Sequence, residues 1–263
     1  ATSLLHFLPL QPRMPAASLD AAWAATFAQD YLAGAAWGHD LVFMFGPLSF
    51  LVTGAYDPLL YDATLVVRAL AHGGVALALA LLWRPLPRSW LWTLPLLAVL
   101  PLSVGVDAQF LLLPLLAALL RASGRGAWLW PLLVMLSAVF GWAKFSFRLS
   151  AALLLPLAAL VLLWRQRRWP CMTPLLLPAG LATHLAAGQS LDTLPAFLAT
   201  SFEVAVGYTA AASNTGPPGW PAAWSSLERL AFLALAAALL GLALWAARRT
   251  AVDSARAGPA SVL

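Results

Sequence analysis

The stretch Leu60-Tyr61-Asp62-Ala63-Thr64-Leu65-Val66-Val67-Arg68-Ala69-Leu70-Ala71-His72-Gly73-Gly74-Val75-Ala76-Leu77-Ala78-Leu79-Ala80-Leu81-Leu82-Trp83 decides the fold. A helix needs about 20 mostly apolar residues to cross the hydrocarbon layer of a bilayer, and this run meets that length with only Asp62 and Arg68 charged. The rest of the chain has the same character. Of its 263 residues 62% are hydrophobic and 10% charged, with a mean hydropathy of +0.83. Soluble domains carry about 25% charged residues, so too few charges are present to coat a water-facing surface. The sequence therefore predicts an all-α, polytopic transmembrane helix bundle. The single cysteine, Cys171, excludes a disulfide framework and a cysteine-rich metal site.

The same ruler gives spanning candidates at 60–83, 89–106, 107–121, 126–143, 147–164, 171–187 and 223–247, about seven in all. The region 89–121 is read as a hairpin because a single helix of that length would overshoot any bilayer. Prolines 95, 101, 114, 156, 174 and 178 fall inside these segments and mark kinks, since neighbouring helices can satisfy the freed carbonyls. Five regions follow: an outer segment 1–59 with an interfacial helix, a bundle 60–187, an outer loop 188–222 containing a helix, a last spanning helix 223–247 and a cytoplasmic tail 248–263.

Arginine placement gives the orientation. Arg84, Arg88, Arg121, Arg125, Arg165, Arg167, Arg168, Arg248, Arg249 and Arg256 follow alternate segments and have only Asp253 among them. The opposite loops hold Arg13, Lys144 and Arg148 against Asp20, Asp30, Asp40, Asp57, Asp107, Asp192 and Glu203. By the positive-inside rule the first set is cytoplasmic. The basic residues are then topology markers, and the pI near 10.1 does not call for nucleic acid. Residues 1–10 are apolar but too short to span, and a preceding helix would bring 11–59 to the outer face, so the native chain is expected to begin further upstream.

The outer segment carries the polar pattern. Residues 18–37 read as a helix with an N-cap at Ser18 or Asp20, and Trp23, Phe27 and Tyr31 recur at four-residue spacing as one aromatic stripe suited to the membrane interface. Next comes Gly38-His39-Asp40-Leu41-Val42-Phe43-Met44-Phe45-Gly46-Pro47-Leu48, which sets a His-Asp pair beside a Gly-Pro turn. That turn either presents Asp40 to a ligand or merely ends a re-entrant element.

The order Asp20, Trp23, Gly38, Asp40, Phe43 and Gly46-Pro47-Leu48 resembles the first outer loop of membrane glycosyltransferases that use polyprenyl-phosphate sugars, the GT-C superfamily. It is similar also to bacterial multi-pass proteins with the same spacing. Phe202-Glu203-Val204-Ala205-Val206-Gly207-Tyr208 is a second echo. The resemblance covers about 30 residues well and implies an enzyme of the bacterial inner membrane, with a polyprenyl-phosphate-linked sugar as donor, membrane lipid as surroundings and Asp20 as base. The chain is short for such an enzyme, lacks its recognisable first helix and ends without the soluble outer domain that many of them carry.

Sugar transfer from a lipid phosphate to a hydroxyl needs a carboxylate to take the acceptor proton and a cation for the leaving phosphate. Asp20 and Asp40 are the candidate acids, Asp40 to orient the acceptor or, with Asp20, to help hold a divalent metal ion. Lys144 is the only lysine, and Arg148 lies four residues on, so the two fit a phosphate clamp or snorkel to headgroups. Arg68, with Tyr61 and His72 on its stripe, is costly inside a spanning helix and needs a partner: a ligand, or Asp62, Asp107 or Glu228 in an ion pair. His39, Glu203 and Tyr208 complete the substrate-binding candidates, whereas His184 reads as a hydrogen-bonded helix histidine. A common outer cavity should gather Asp20, Asp40, Lys144 and Arg68. No P-loop, Gly-x-Ser-x-Gly or Rossmann pattern occurs, which removes support for ATP-driven transport and hydrolase chemistry. A non-enzymatic carrier of lipid-linked substrate, or a helical subunit of a larger complex, is the alternative.

Overall fold

Asp57 starts the deciding helix. Its carboxylate accepts the Leu59 N–H at 2.8 Å and its carbonyl accepts the Tyr61 N–H at 2.9 Å, so a local turn satisfies donors that a helix start leaves open. The computed structural model describes residues 8–11, 19–83, 106–124, 126–166 and 171–213. Eight helices are found among them: α1 (Leu19–Leu32), α2 (Phe50–Thr53), α3 (Tyr61–Trp83), α4 (Val106–Ser123), α5 (Leu129–Gly141), α6 (Phe145–Gln166), α7 (Met172–Ala186) and α8 (Thr193–Ser213). The described residues contain no strand, only two isolated bridges, Trp37 with Leu41 and Phe45 with Lys144.

Five of the expected spanning segments are thus helices with ends within a few residues of expectation. Those at 89–106 and 223–247 lie outside the described residues, apart from the start of α4 at Val106. Two described helices have the length and apolarity to cross a membrane, over Tyr61–Leu82 and Phe145–Trp164. Gln109–Ser123, Leu129–Gly141 and Met172–Ala186 are apolar but shorter. Pro114, Pro156 and Pro178 lie inside α4, α6 and α7.

The core lies where α4 packs against α3, α5 and α6, and α5 against α7. Phe110 of α4 stacks on Phe140 of α5 with centroids 4.0 Å apart, and Phe147 of α6 closes on it at 5.5 Å. Leu113, Leu133 and Leu155 are fully buried around them. The outward faces are equally apolar. On α6, Leu149, Leu153, Leu157, Leu160 and Trp164 form a row at three- and four-residue spacing that is 44–78% exposed. Leu177, Leu181 and Leu185 of α7, and Val66, Leu70 and Leu77 of α3, repeat the pattern. Contiguous exposed apolar surface of this extent is unusual on a protein surrounded by water.

The helix ends alternate. Near the end of α3, Leu81 touches Gly126 just before α5, about 30 Å along the helix from Tyr61. The segments 37–48, 142–145 and 184–197 meet at the other end, as the hydrogen bonds below show.

Candidate functional site

α1 turns its aromatic stripe inward. Trp23 and Phe27 meet Phe43 at 5.3 and 5.1 Å, Phe27 also meets Phe45 at 5.7 Å, and Tyr31 meets Phe50 at 4.9 Å. The stripe expected to lie in the membrane interface packs instead on the 43–50 segment of its own chain, and the helix stops at Leu32 rather than 37. Gly34, at φ +73°, ends it, and the Ala35 N–H returns to the Asp30 carbonyl at 2.9 Å.

The loop that follows is held from three directions. The Asp40 carboxylate accepts the Ala36 N–H at 2.9 Å, folding 36–40 into a local turn and leaving Asp40 at the surface beside the exposed His39. Trp37 is fully buried, and its indole N–H donates to the Phe45 carbonyl at 3.2 Å. Gln189 joins the far loop to this one: its Oε1 accepts the Trp37 N–H at 2.9 Å and its Nε2 donates to the Ala35 carbonyl at 3.0 Å. Residues 44–48 then run antiparallel to 142–145. The Gly46 N–H donates to Ala143, the Leu48 N–H to Trp142 and the Phe145 N–H to Met44, at 2.9–3.2 Å.

Two glycines make this docking possible. A Cβ on Gly38, which has φ +96°, would collide with the backbone of Ala196 and Phe197 at the start of α8. A Cβ on Gly46 would collide with the Trp142 carbonyl oxygen and the Phe197 ring.

Beneath the loop lie the cations. Lys144 holds its Nζ 5.2 Å from the centre of the Phe45 ring and 5.7 Å from that of Phe147. Arg148 is sandwiched between Trp142 and Phe197, its guanidinium carbon 4.3 and 4.2 Å from the two ring centres, and its Nε–H donates to the Gly141 carbonyl at 3.1 Å. His184 is fully buried against the same rings, with Nε2 2.9 Å from the Ser190 carbonyl, which makes Nε2 the donor. Arg68 is 4% exposed and its Nε donates to the Leu51 carbonyl within the short α2. One turn on, His72 is also buried, 5.7 Å from Phe110.

Of the remaining candidates, Glu203 is exposed on α8. Asp20 and Tyr208 are described as backbone within α1 and α8, with their side chains outside the described structure. Asp192 is exposed, and hydrogen bonding from Ser190 holds its carboxyl below the usual carboxylate range, with the charge of His39 a smaller contribution in the same direction. A small recess, with room for about one water molecule, opens between Pro9, Gln11, Gly54, Ala55, Tyr56, Tyr61 and Thr64, with the Tyr61 hydroxyl donating to the Pro9 carbonyl at 2.8 Å. None of the charged candidates lines it. Asp40, Lys144 and Arg68 engage different partners, and among the described residues no three His, Cys, Asp or Glu side chains gather as a metal site.

The sequence pattern singled out Asp40, Lys144 and Arg148 but passed over Trp37, Trp142, Gln189 and Phe197. Those four carry no charge and their roles depend on contacts across more than 100 residues, apart from that of Trp142, so spacing could not show them. No family model, curated protein or solved structure matches this chain.

Proposed function

We propose that the chain is a multi-pass protein of the bacterial inner membrane, an all-α bundle of about seven spanning helices, that acts as a glycosyltransferase on a polyprenyl-phosphate sugar at its extracytoplasmic face. The observation that carries most weight is the position of the cations. Lys144 and Arg148 lie directly under the Gly38–Leu48 loop, at the end of the exposed leucine row of α6, where a lipid-borne phosphate would meet the protein. That loop bears Gly38, Asp40, Phe43 and Gly46-Pro47-Leu48 of the glycosyltransferase resemblance. Asp20 would take the acceptor hydroxyl proton as the acceptor oxygen attacks the anomeric carbon and the bond from that carbon to the phosphate oxygen breaks. Lys144 and Arg148 would carry the negative charge left on the lipid phosphate. Asp40, His39, Glu203 and Tyr208 would bind the sugar or the acceptor.

The test is sugar transfer by the purified protein with isotopically labelled polyprenyl-phosphate sugars, read by lipid extraction and mass spectrometry. Asp20→Asn is expected to fold and to lose transfer by about 10²-fold or more, as removal of a general base does. Full activity in that variant would sink the proposal.

One observation favours a second function, a helical subunit of a larger membrane complex. The exposed leucine rows on α3, α6 and α7 are extensive, while Asp40, Lys144 and Arg68 engage different partners among the described residues. A subunit of that kind would neither retain nor consume labelled donor, and Asp20→Asn would leave it unaltered.

A further inference from the structure

Arg148 stands in the first turn of α6 with its stem partly buried and its guanidinium plane clamped by two rings. Nε is satisfied by the Gly141 carbonyl. Nη1 is buried and has no hydrogen-bond partner, and the same holds for the indole Nε1 of Trp142, one of the two clamping rings. No carboxylate among the described residues pairs with the guanidinium. Ring faces offset part of a buried cation's desolvation, but they do not serve its N–H groups, which lie in the guanidinium plane. Buried charges in proteins are paired, and buried donors find acceptors. Two unspent donors beside an uncompensated positive charge call for an acceptor that is itself negative.

We infer that Arg148 and Trp142 form an oxyanion subsite that takes a phosphate group, bound edge-on by Nη1 and Nε1 with Phe197 as the second plate. Phosphate is favoured by depth. Arg148 is followed at once by Leu149, the first of the exposed apolar row, so the guanidinium lies where headgroup phosphate would meet the protein. A planar N–H fork also suits phosphate oxygens. The subsite deepens the proposed function, which supplies a lipid-linked phosphate as one source; free phosphate is the other. Because Nη1 is closed off from solvent, entry requires Phe197 and the start of α8 to yield.

The experiment uses the full chain in detergent, with thermal unfolding and calorimetric titration against inorganic phosphate, farnesyl phosphate and farnesol. A phosphate-bearing probe is expected to bind and to raise Tm, with farnesol without effect. Binding of farnesyl phosphate alone identifies a lipid-linked source, and binding of both phosphates identifies free phosphate as sufficient. Arg148→Met keeps the stem, removes the charge and should weaken binding at least tenfold, with a Tm no lower than wild type in the absence of probe. Trp142→Phe keeps an aromatic face but loses the pyrrole portion that carries Nε1–H and should weaken binding severalfold; it serves if Arg148→Met fails to fold. Farnesol binding as well as farnesyl phosphate, or undiminished phosphate binding by either variant, would overturn the subsite. Phosphate binding through Arg148 in a protein that transfers no sugar overturns the enzyme and leaves the subsite. Transfer that survives Arg148→Met but is lost in Asp20→Asn does the reverse.

Discussion

One methyl group at position 46 would occupy the space of the Trp142 carbonyl oxygen and the tip of the Phe197 ring. Overpacking of this kind costs about 1–3 kcal/mol, so Gly46→Ala should lower Tm by several degrees while leaving the helices in place. Circular dichroism and thermal unfolding would show both. Gln189 makes the complementary case. Removing it with Gln189→Ala leaves the buried Trp37 N–H without an acceptor, a loss of about 1–3 kcal/mol, and thermal unfolding should show it where a surface substitution such as Glu203→Gln does not. At this scale the sequence was half legible. Asp40 was marked by a local pattern, glycine and histidine before a carboxylate, and its hydrogen bond to Ala36 is local too. What Gly46 and Gln189 do depends on residues 96 and 152 positions away, and no spacing within either loop encodes that.

Elements were more legible than residues, because a helix announces its own period. The segment expected at 60–83 is Tyr61–Trp83, and the stripe Trp23, Phe27, Tyr31 does share one face of α1. Its target was not legible: an aromatic face fits a bilayer interface and a neighbouring loop equally well. Since Phe27 is buried and Trp23 is 37% exposed, Phe27→Ala should cost about 3–5 kcal/mol and Trp23→Ala markedly less, in chemical unfolding followed by tryptophan fluorescence or, for the second variant, circular dichroism. The turn between α7 and α8 has its own pH dependence. The Asp192 carboxyl titrates below the usual carboxylate range in the folded protein, so its contribution is complete at neutral pH and is lost as pH falls through that lowered value. Protection of the 189–193 amides relative to their intrinsic exchange rates should therefore fall towards acid pH, and Asp192→Asn should remove the change.

For the whole molecule, the described contacts bear on which loops lie together at one end of the bundle. Arginine counts separate two sets of loops, and the contacts of Gln189 with Ala35 and Trp37, and of Met44 with Phe145, bring three members of one set to the same end. Cys171 is exposed just before α7, and His39 is exposed in the opposite set. In sealed membranes of cells that express the protein, the proposed topology predicts that an impermeant thiol reagent applied from outside misses Cys171 and labels His39→Cys made in a Cys171→Ser background; the opposite labelling would reverse that topology. α7 has 15 residues and so rises about 22 Å, against a hydrocarbon layer of about 30 Å, yet its Leu177, Leu181 and Leu185 face outward. In the proposed multi-pass protein, lipid beside that flank would thin to match it, whereas α3 and α6, at 23 and 22 residues, would ask for no such adjustment. The protein would thus impose an uneven thickness on its surroundings, gathering shorter or more disordered acyl chains along one side.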